Sequence, residues 1–221
     1  MKLYDKEEIN IDTGKDIRER ILETAEYLFS EKGFSGTKVR EITNLAECNL
    51  AAINYHFGSK ENLYKQVFYR HLNTMRNVRI AAINKVMKEN NENITIEKLL
   101  REFAHSFIEP LVDKQKSQRF MKLMIYEMLE PTLQKSAFAE EVIIPTLTEF
   151  GKAVEKIYPE IDKKKMMMSM LSVVGQLLHI IHLNEFFSGN NIKESPMPNT
   201  NEMIDHIITF SAAGFRNYVK G

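Results

Sequence analysis

The sequence predicts an all-helical protein, with a three-helix module at its N-terminus and a larger helical region after it. Glycine and proline number only 9 and 6 in 221 residues. The apolar residues recur at spacings of three and four rather than in the alternation that strands require. Three short periodic stretches precede one long one, which places the small module first.

The first helix puts Ile17, Ile21, Leu22, Ala25, Leu28 and Phe29 on one face, and Gly33 stands where a left-handed C-cap would stop it. Thr37 is a suitable N-cap for a short second helix that buries Val39, Ile42, Leu45 and Ala46. A turn at Glu47 and Cys48 follows. Asn49 caps a third helix from Leu50 to Phe57, Gly58 breaks it, and Ser59 caps a long fourth helix with Glu61 in its dipole-favoured first turn. From about Met75 the chain reads as longer helices with breaks near Asn90 to Asn93, Asp113 to Ser117, Pro131, Pro159 and Ser188 to Thr200. The stretch from Ser195 to Asn199 is the most loop-like, and a final helix runs from about Glu202 to Tyr218. The expected organisation is a tail (1–13), a small N-terminal helical domain (14–74) and a larger helical domain (75–221).

A hydrophobic fraction of 43% buries a real core and excludes a disordered adaptor. The lone cysteine, Cys48, excludes an intramolecular disulfide and fits a reducing cytoplasm. Met1 to Asp12 lacks the apolar core of a signal peptide, and no apolar run reaches the roughly 20 residues of a membrane span. The expected location is therefore cytoplasmic, without a membrane partner. A net charge of zero argues against indiscriminate coating of nucleic acid. Between Lys60 and Lys88, however, Lys60, Lys65, Arg70, Arg76, Arg79, Lys85 and Lys88 are opposed only by Glu61, a run that faces phosphate or forms a solvated face.

Two short helices joined by a tight turn form a unit whose second helix fits the DNA major groove. Ile53 and Phe57 are its anchors. Leu50, Ala51, Ala52, Asn54, Tyr55 and His56 are left to meet base edges and phosphates.

The string TKVREITNLAECNLAAINYHFGSKENLY resembles the TetR-family pattern of threonine, short helix, turn, recognition helix ending in His-Phe, and Ser-Lys-Glu. The resemblance runs from Ile17 to about Val67. It implies a homodimeric regulator, in most relatives a repressor, that binds a palindromic operator in double-stranded DNA and is released by a small hydrophobic effector. It further implies that Thr37 and Lys38 start the second helix against the phosphate backbone and that Arg40 reaches a base or phosphate. The recognition helix, entered at Asn49, would use Leu50, Ala51 and Ala52 at its front and Tyr55 and His56 at its rear. Lys60 would contact phosphate at the start of the fourth helix, where amide donors and the dipole favour an anion.

Two positions depart from the pattern. Asn54 stands where many relatives carry tyrosine, so the tyrosine contact to phosphate is replaced by an amide or moved to Tyr55. Glu47 stands where glycine is common, at a cost of about 1 kcal/mol if that residue needs a positive φ. Cys48 takes the family's usual valine position and reads as a small core residue rather than a sensing thiol, since no basic neighbour lowers its pKa.

Phe120 to Glu130, FMKLMIYEMLE, is apolar nearly all round and reads as a buried helix, with Glu127 held by an internal salt bridge or by a cationic ligand. Phe103, Phe107, Met121, Met124 and Met128 suit an adaptable apolar pocket or plain core. From Met166 to Phe187 a methionine-rich helix carries a polar stripe, Ser169, Ser172, Gln176 and His179, facing an interface or a ligand. In the family the last two long helices of each subunit pair with their mates in a four-helix bundle. On that ground Ser169, Ser172, Ile204, Ile207, Ile208, Ala212 and Phe215 are expected at the dimer interface, and Gln176 and His179 with Glu127 among the ligand contacts.

Two rival functions remain in the sequence. Glu102 with His105, and His179 with His182, have helical metal-ligand spacing, but a di-iron site needs Glu-x-x-His twice and it occurs once. No nucleophile elbow, phosphate loop or paired-cysteine site is present, so no enzyme, metal or cofactor is expected. The other rival is a helical adaptor that has lost DNA binding.

Overall fold

The computed structural model describes residues 16–88, 94–108, 114–134, 136–188 and 199–220. The tail and the expected breaks at Asn90 to Asn93 and at Ser195 to Pro198 lie outside the described residues, as does the side chain of His182. The elements in chain order are α1 (Ile17–Gly36), α2 (Val39–Leu45), α3 (Leu50–Phe57), α4 (Lys60–Met87), α5 (Ile96–Ile108), α6 (Lys114–Leu129), a π-helical turn (Ala139–Ile143), α7 (Ile144–Ile157), α8 (Lys163–Ser188) and α9 (Thr200–Lys220). Among the described residues there is helix and no strand.

By its contacts the chain divides into two compact units. Unit 1 takes residues 1–74 and 113–141, unit 2 residues 75–112 and 142–221, so the chain passes between them three times. The segment 113–141, expected with the C-terminal domain, is thus part of the first unit. Its physical reason is a set of contacts between α6 and the N-terminal helices. Lys122 pairs with Glu31 at 2.5 Å, the Tyr126 hydroxyl donates to the Glu31 carbonyl at 3.2 Å, and Phe120 stacks on His71 with ring centroids 4.8 Å apart.

Unit 1 is built on the apolar face of α1. Ile21, Leu22, Ala25, Leu28 and Phe29 are buried, as are Ile42, Ile53, Phe57, Leu63, Tyr64 and Phe68, with Phe29 edge-on to Tyr64 at 5.0 Å. Gly33 breaks the helix with φ +70° and ψ 177°, and a Cβ there would lie 2.8 Å from the Tyr126 ring. Only glycine meets both demands, the left-handed φ and the close approach.

In unit 2 one core joins Ile83 and Val86 of α4, Leu99, Leu100, Phe103 and Phe107 of α5, Phe150 and Val154 of α7, Met170, Val173 and Leu177 of α8, and Ile204, Ile208 and Phe215 of α9. Ion pairs at the surface join α5 to α9, Arg101 with Asp205 at 2.5 Å and Arg216 with Glu97.

Two expectations are corrected here. The helix around Phe120 to Glu130 is not buried all round: Leu123 is, while Ile125, Met128 and Leu129 are exposed. And the basic run from Lys60 to Lys88 is no phosphate-facing stripe, because Arg70 pairs with Glu19 at 2.7 Å, Lys85 with Glu102 at 2.9 Å, and Arg79 is buried.

Candidate nucleic-acid interface

The start of α2 is set by Glu41 rather than by Thr37. The Glu41 carboxylate accepts from the Lys38 backbone N–H at 2.9 Å and from the Lys32 ammonium at 2.5 Å, and these contacts, Lys32 foremost, hold its pKa below the usual carboxylate range. Thr37 is 1% exposed. Its hydroxyl lies 2.8 Å from the Gly33 carbonyl and 3.1 Å from that of Leu28. The expected contact of the Thr37 side chain with phosphate is therefore corrected: it satisfies carbonyls freed where α1 breaks. Lys38 and Arg40, beside it, are exposed.

Helix α3 opens as its sequence requires. Asn49 is the N-cap, its Oδ1 accepting from Ala52 N–H at 2.9 Å, and Gly58 closes the helix at φ +75°. Ile53 and Phe57 are buried, leaving Leu50, Ala51, Asn54 and Tyr55 exposed and Ala52 and His56 half-buried. Tyr55 is 86% exposed, its ring edge-on to His56 at 5.0 Å, so the bulkiest group of the helix is presented to solvent.

A concavity of about 870 Å³ is lined by Thr43 and Asn44 of α2, Glu47 and Cys48 of the turn, and Asn49, Ala51, Ala52, Tyr55 and His56 of α3, with Ile17. It brings together five of the residues expected at DNA. Leu50, Asn54, Lys38, Arg40 and Lys60 lie outside it. Sequence reasoning missed Asn44, exposed one turn after Arg40, although a short helix ahead of a recognition helix offers its outward polar residues to the same surface.

Lys60 sits half-buried at the start of α4, its Nζ 4.2 Å from the Phe34 ring centroid. Burial lowers its pKa, opposed by the charge of Glu61. Glu47 has φ +51° and is the non-glycine residue with a positive φ among the described residues. The Arg20 guanidinium donates to its carbonyl at 3.3 Å. Cys48 is half-buried, and burial pushes its thiol pKa up against the opposing charge of Arg20, which makes it an unreactive thiol.

The residues expected to bind a ligand do not form one group. Phe103 and Phe107 are buried in unit 2. Met121 and Met124 are half-buried in unit 1, and Met128 is 78% exposed. Glu127 is held internally, with no cation paired to it among the described residues: it accepts from the Tyr64 hydroxyl at 2.9 Å and from Thr132 and Leu133 N–H at 2.8 and 2.7 Å. Burial, then the hydrogen bond and charge of Glu127, push the Tyr64 phenol far above its ordinary pKa. Gln176 and His179 line a groove of about 1050 Å³ between α8 and α9, with Ser172, Gly175, Glu202, Met203, His206 and Phe210 among its walls.

The expected dimer residues need a sharper correction. Ile204, Ile207, Ile208, Ala212 and Phe215 are buried within unit 2 itself and are unavailable to a partner. Ser169 is half-buried and Ser172 exposed, its hydroxyl donating to the Met168 carbonyl at 3.0 Å. Among the described residues, the exposed large apolar side chains of these helices are Met167, Met168, Leu171, Leu178, Phe210 and, near the end of α9, Val219. No helix among the described residues is long and apolar enough to cross a membrane.

Residues 21–67 match the family model of the bacterial regulatory proteins of the tetR family. Residues 96–215 match the C-terminal domain of the HTH-type transcriptional dual regulator CecR. The chain is 30% identical over 92 residues to IcaR of Staphylococcus aureus, the HTH-type negative transcriptional regulator of the biofilm operon icaADBC, covering 42% of this chain and 46% of that one. It spans less than half the length of the curated relatives it matches. Among solved structures, a TetR-family regulator of Mesorhizobium loti has the same fold with a TM-score of 0.64 at 20% identity, over 91% of this chain and 95% of the other. A transcriptional regulator of Aquifex aeolicus reaches 0.52 at 25% identity, over 91% and 99%.

Proposed function

Because the chain belongs to the TetR family of bacterial transcriptional regulators, we propose that it is a dimeric repressor that binds a palindromic operator and is released by a small molecule. The observation that carries this reading is α3, where two side chains are buried and the rest, with Tyr55 foremost, turn outward. A helix held by its back alone is free to enter a major groove. Lys38 and Arg40 supply phosphate contacts at the start of α2, and Lys60 supplies one from α4. The repressor sign draws on IcaR, a negative regulator. DNA binding is assigned to residues 14–74, and effector binding and dimerisation to the rest, with 113–141 packing in unit 1. Effector binding in unit 2 would act on DNA through α4, which runs in both units, and linkage requires operator to weaken effector binding by the same factor.

The surface we assign to dimerisation is the outward stripe of α8, Met168, Leu171, Gly175 and Leu178, with His206 and Phe210 of α9. Apolar side chains exposed at helical spacing support it. Gln176 and His179 flank that stripe and are contacts across the dimer rather than effector contacts.

Selection of bound sequences from a random duplex library tests the reading. One enriched palindrome is expected, with affinity falling steeply as salt rises. Tyr55→Ala should then lower operator affinity about tenfold, and Lys38→Ala should reduce the salt slope by about one. Failure to enrich any sequence would defeat the proposal.

A further inference from the structure

One charged side chain of unit 2 stands where an apolar one is expected. Arg79 lies on the stripe of α4 that carries Ile83 and Val86 into the core, four and seven residues on, and it is itself 8% exposed. Its guanidinium carbon is 3.8 Å from the Phe107 ring centroid. Phe107 packs edge-on against Phe103 at 5.2 Å, and Phe103 meets Phe150 at 4.7 Å. The other described arginines of this unit have partners: Arg101 has Asp205, Arg216 has Glu97, and Arg76 is engaged as well. Arg79 pairs with no carboxylate among the described residues, and its buried Nε–H has no acceptor there.

Burial draws the Arg79 guanidinium down to about 10, which leaves it protonated at neutral pH. The unit therefore carries a full positive charge against an aromatic wall. A ring face offsets only part of what such burial costs, and an uncompensated charge in an apolar setting calls for an anion. One charge calls for one. The buried Nε–H is the donor left without an acceptor, and with the adjoining Nη–H it forms the fork that takes a carboxylate with two parallel hydrogen bonds.

We propose that unit 2 binds an organic monoanion, a carboxylate on an apolar body, with the carboxylate on the Nε/Nη edge of Arg79 and the body along Phe103 and Phe107. The proposal deepens the effector reading given above and rests on it for its regulatory meaning. The site lies in the helix that begins at Lys60, directly after the recognition helix in the chain.

The test is calorimetric titration of the full chain, without DNA, with decanoate, decanol and decyltrimethylammonium, each below its micellar concentration. Wild type, Arg79→Met and Arg79→Lys are compared after circular dichroism has established equal helicity. Decanoate should bind wild type at least about tenfold more tightly than decanol or the cation, Arg79→Met should lose that margin, and Arg79→Lys should keep part of it. The free Arg79→Met protein should melt no lower than wild type, because the substitution removes a buried charge rather than a partner. Absence of decanoate binding, equal binding of decanoate and decanol, or an Arg79→Met variant that keeps its decanoate affinity would each overturn the proposal. So would an Arg79→Met protein that melts well below wild type, since Arg79 would then be part of an internal ion pair. Decanoate that binds but leaves operator affinity unchanged would defeat the release reading and leave the anion site standing. Release by a neutral or cationic compound, unaffected by Arg79→Met, would do the reverse.

Discussion

Helices α3 and α9 are built on opposite plans. The first has 8 residues and is held by Ile53 and Phe57 alone, with Leu50, Ala51, Asn54 and Tyr55 facing out. The second has 21 residues, buries Ile204, Ile207, Ile208, Ala212 and Phe215, and still leaves Phe210 66% exposed. In α3 a large buried apolar residue means an anchor and nothing else. In α9 apolar residues occupy two faces, one for the subunit's own core and one, on our reading, for a second subunit.

The strongest way to break this comparison is to substitute the two phenylalanines of α9 separately. Phe215→Ala removes a fully buried ring and should cost about 3–5 kcal/mol of stability in denaturant unfolding. Phe210→Asp should leave the melting of the isolated subunit nearly unchanged, within about 0.5 kcal/mol, yet produce a monomer in analytical ultracentrifugation. A Phe210→Asp dimer of wild-type affinity would remove the second face from the argument.

The next effect lies at Gly33, where unit 1 joins α6 to α1. Gly33→Ala should cost about 2–3 kcal/mol, part from its φ of +70° and part from the Cβ pressing on the Tyr126 ring. A cycle with Tyr126→Ala separates the two, because removing the ring relieves the clash and not the backbone strain. If the two costs simply add, the close approach carries no energy.

Unit 1 also differs from unit 2 in how it treats a buried charge. Glu26 is buried on α1, with its Oε2 3.3 Å from the His71 Nε2. Burial pushes its pKa up, but the close approach of His71 and the charges of Arg70 and Arg119 outweigh that and hold it below the usual carboxylate range. A depressed carboxylate contributes stability that is fully present above its unfolded pKa and lost as pH falls through the folded one. Glu26→Gln should therefore cost about 1–2 kcal/mol at pH 7, and its gap from wild type should close as pH falls below about 4.5. A gap that stays constant from pH 7 to 3 would mean the carboxylate's charge contributes nothing.

What the sequence made legible follows from the same contrast. The caps at Asn49 and Gly58, the break at Gly33 and the anchors Ile53 and Phe57 were readable because each is a local requirement of a short helix. Thr37 was misread because a threonine before a helix looks like a cap, while its hydroxyl serves the carbonyls of the helix behind it. Ile204, Ile207 and Ile208 were placed on the wrong face because periodicity gives a stripe without saying what covers it. The α6 helix was read as buried because its composition is apolar, yet its exposed end, Met128 and Leu129, is equally apolar. Arg79 was counted into a basic run, since a charge list is blind to which residues of a helix turn inward. The pairing of Glu127 with Tyr64, 63 positions apart, is a tertiary fact that no local pattern encodes.

The smallest effect is expected at Glu47, and it joins stability to DNA binding. Its φ of +51° is a conformation that costs an ordinary residue about 1 kcal/mol. Glycine removes that strain but gains conformational freedom in the unfolded chain, so Glu47→Gly should raise stability by only about 0.5 kcal/mol. The carboxylate also lines the concavity that we assign to DNA, so its removal should strengthen operator binding a few-fold at low salt, with the gain shrinking as salt is added. Glu47→Asn separates the two contributions, because asparagine tolerates the left-handed region and also lacks the charge. Both variants should bind DNA alike if charge is the cause. If only the glycine variant binds more tightly, the turn's backbone sets the pose of α3, and the recognition helix is less independently held than its two anchors imply.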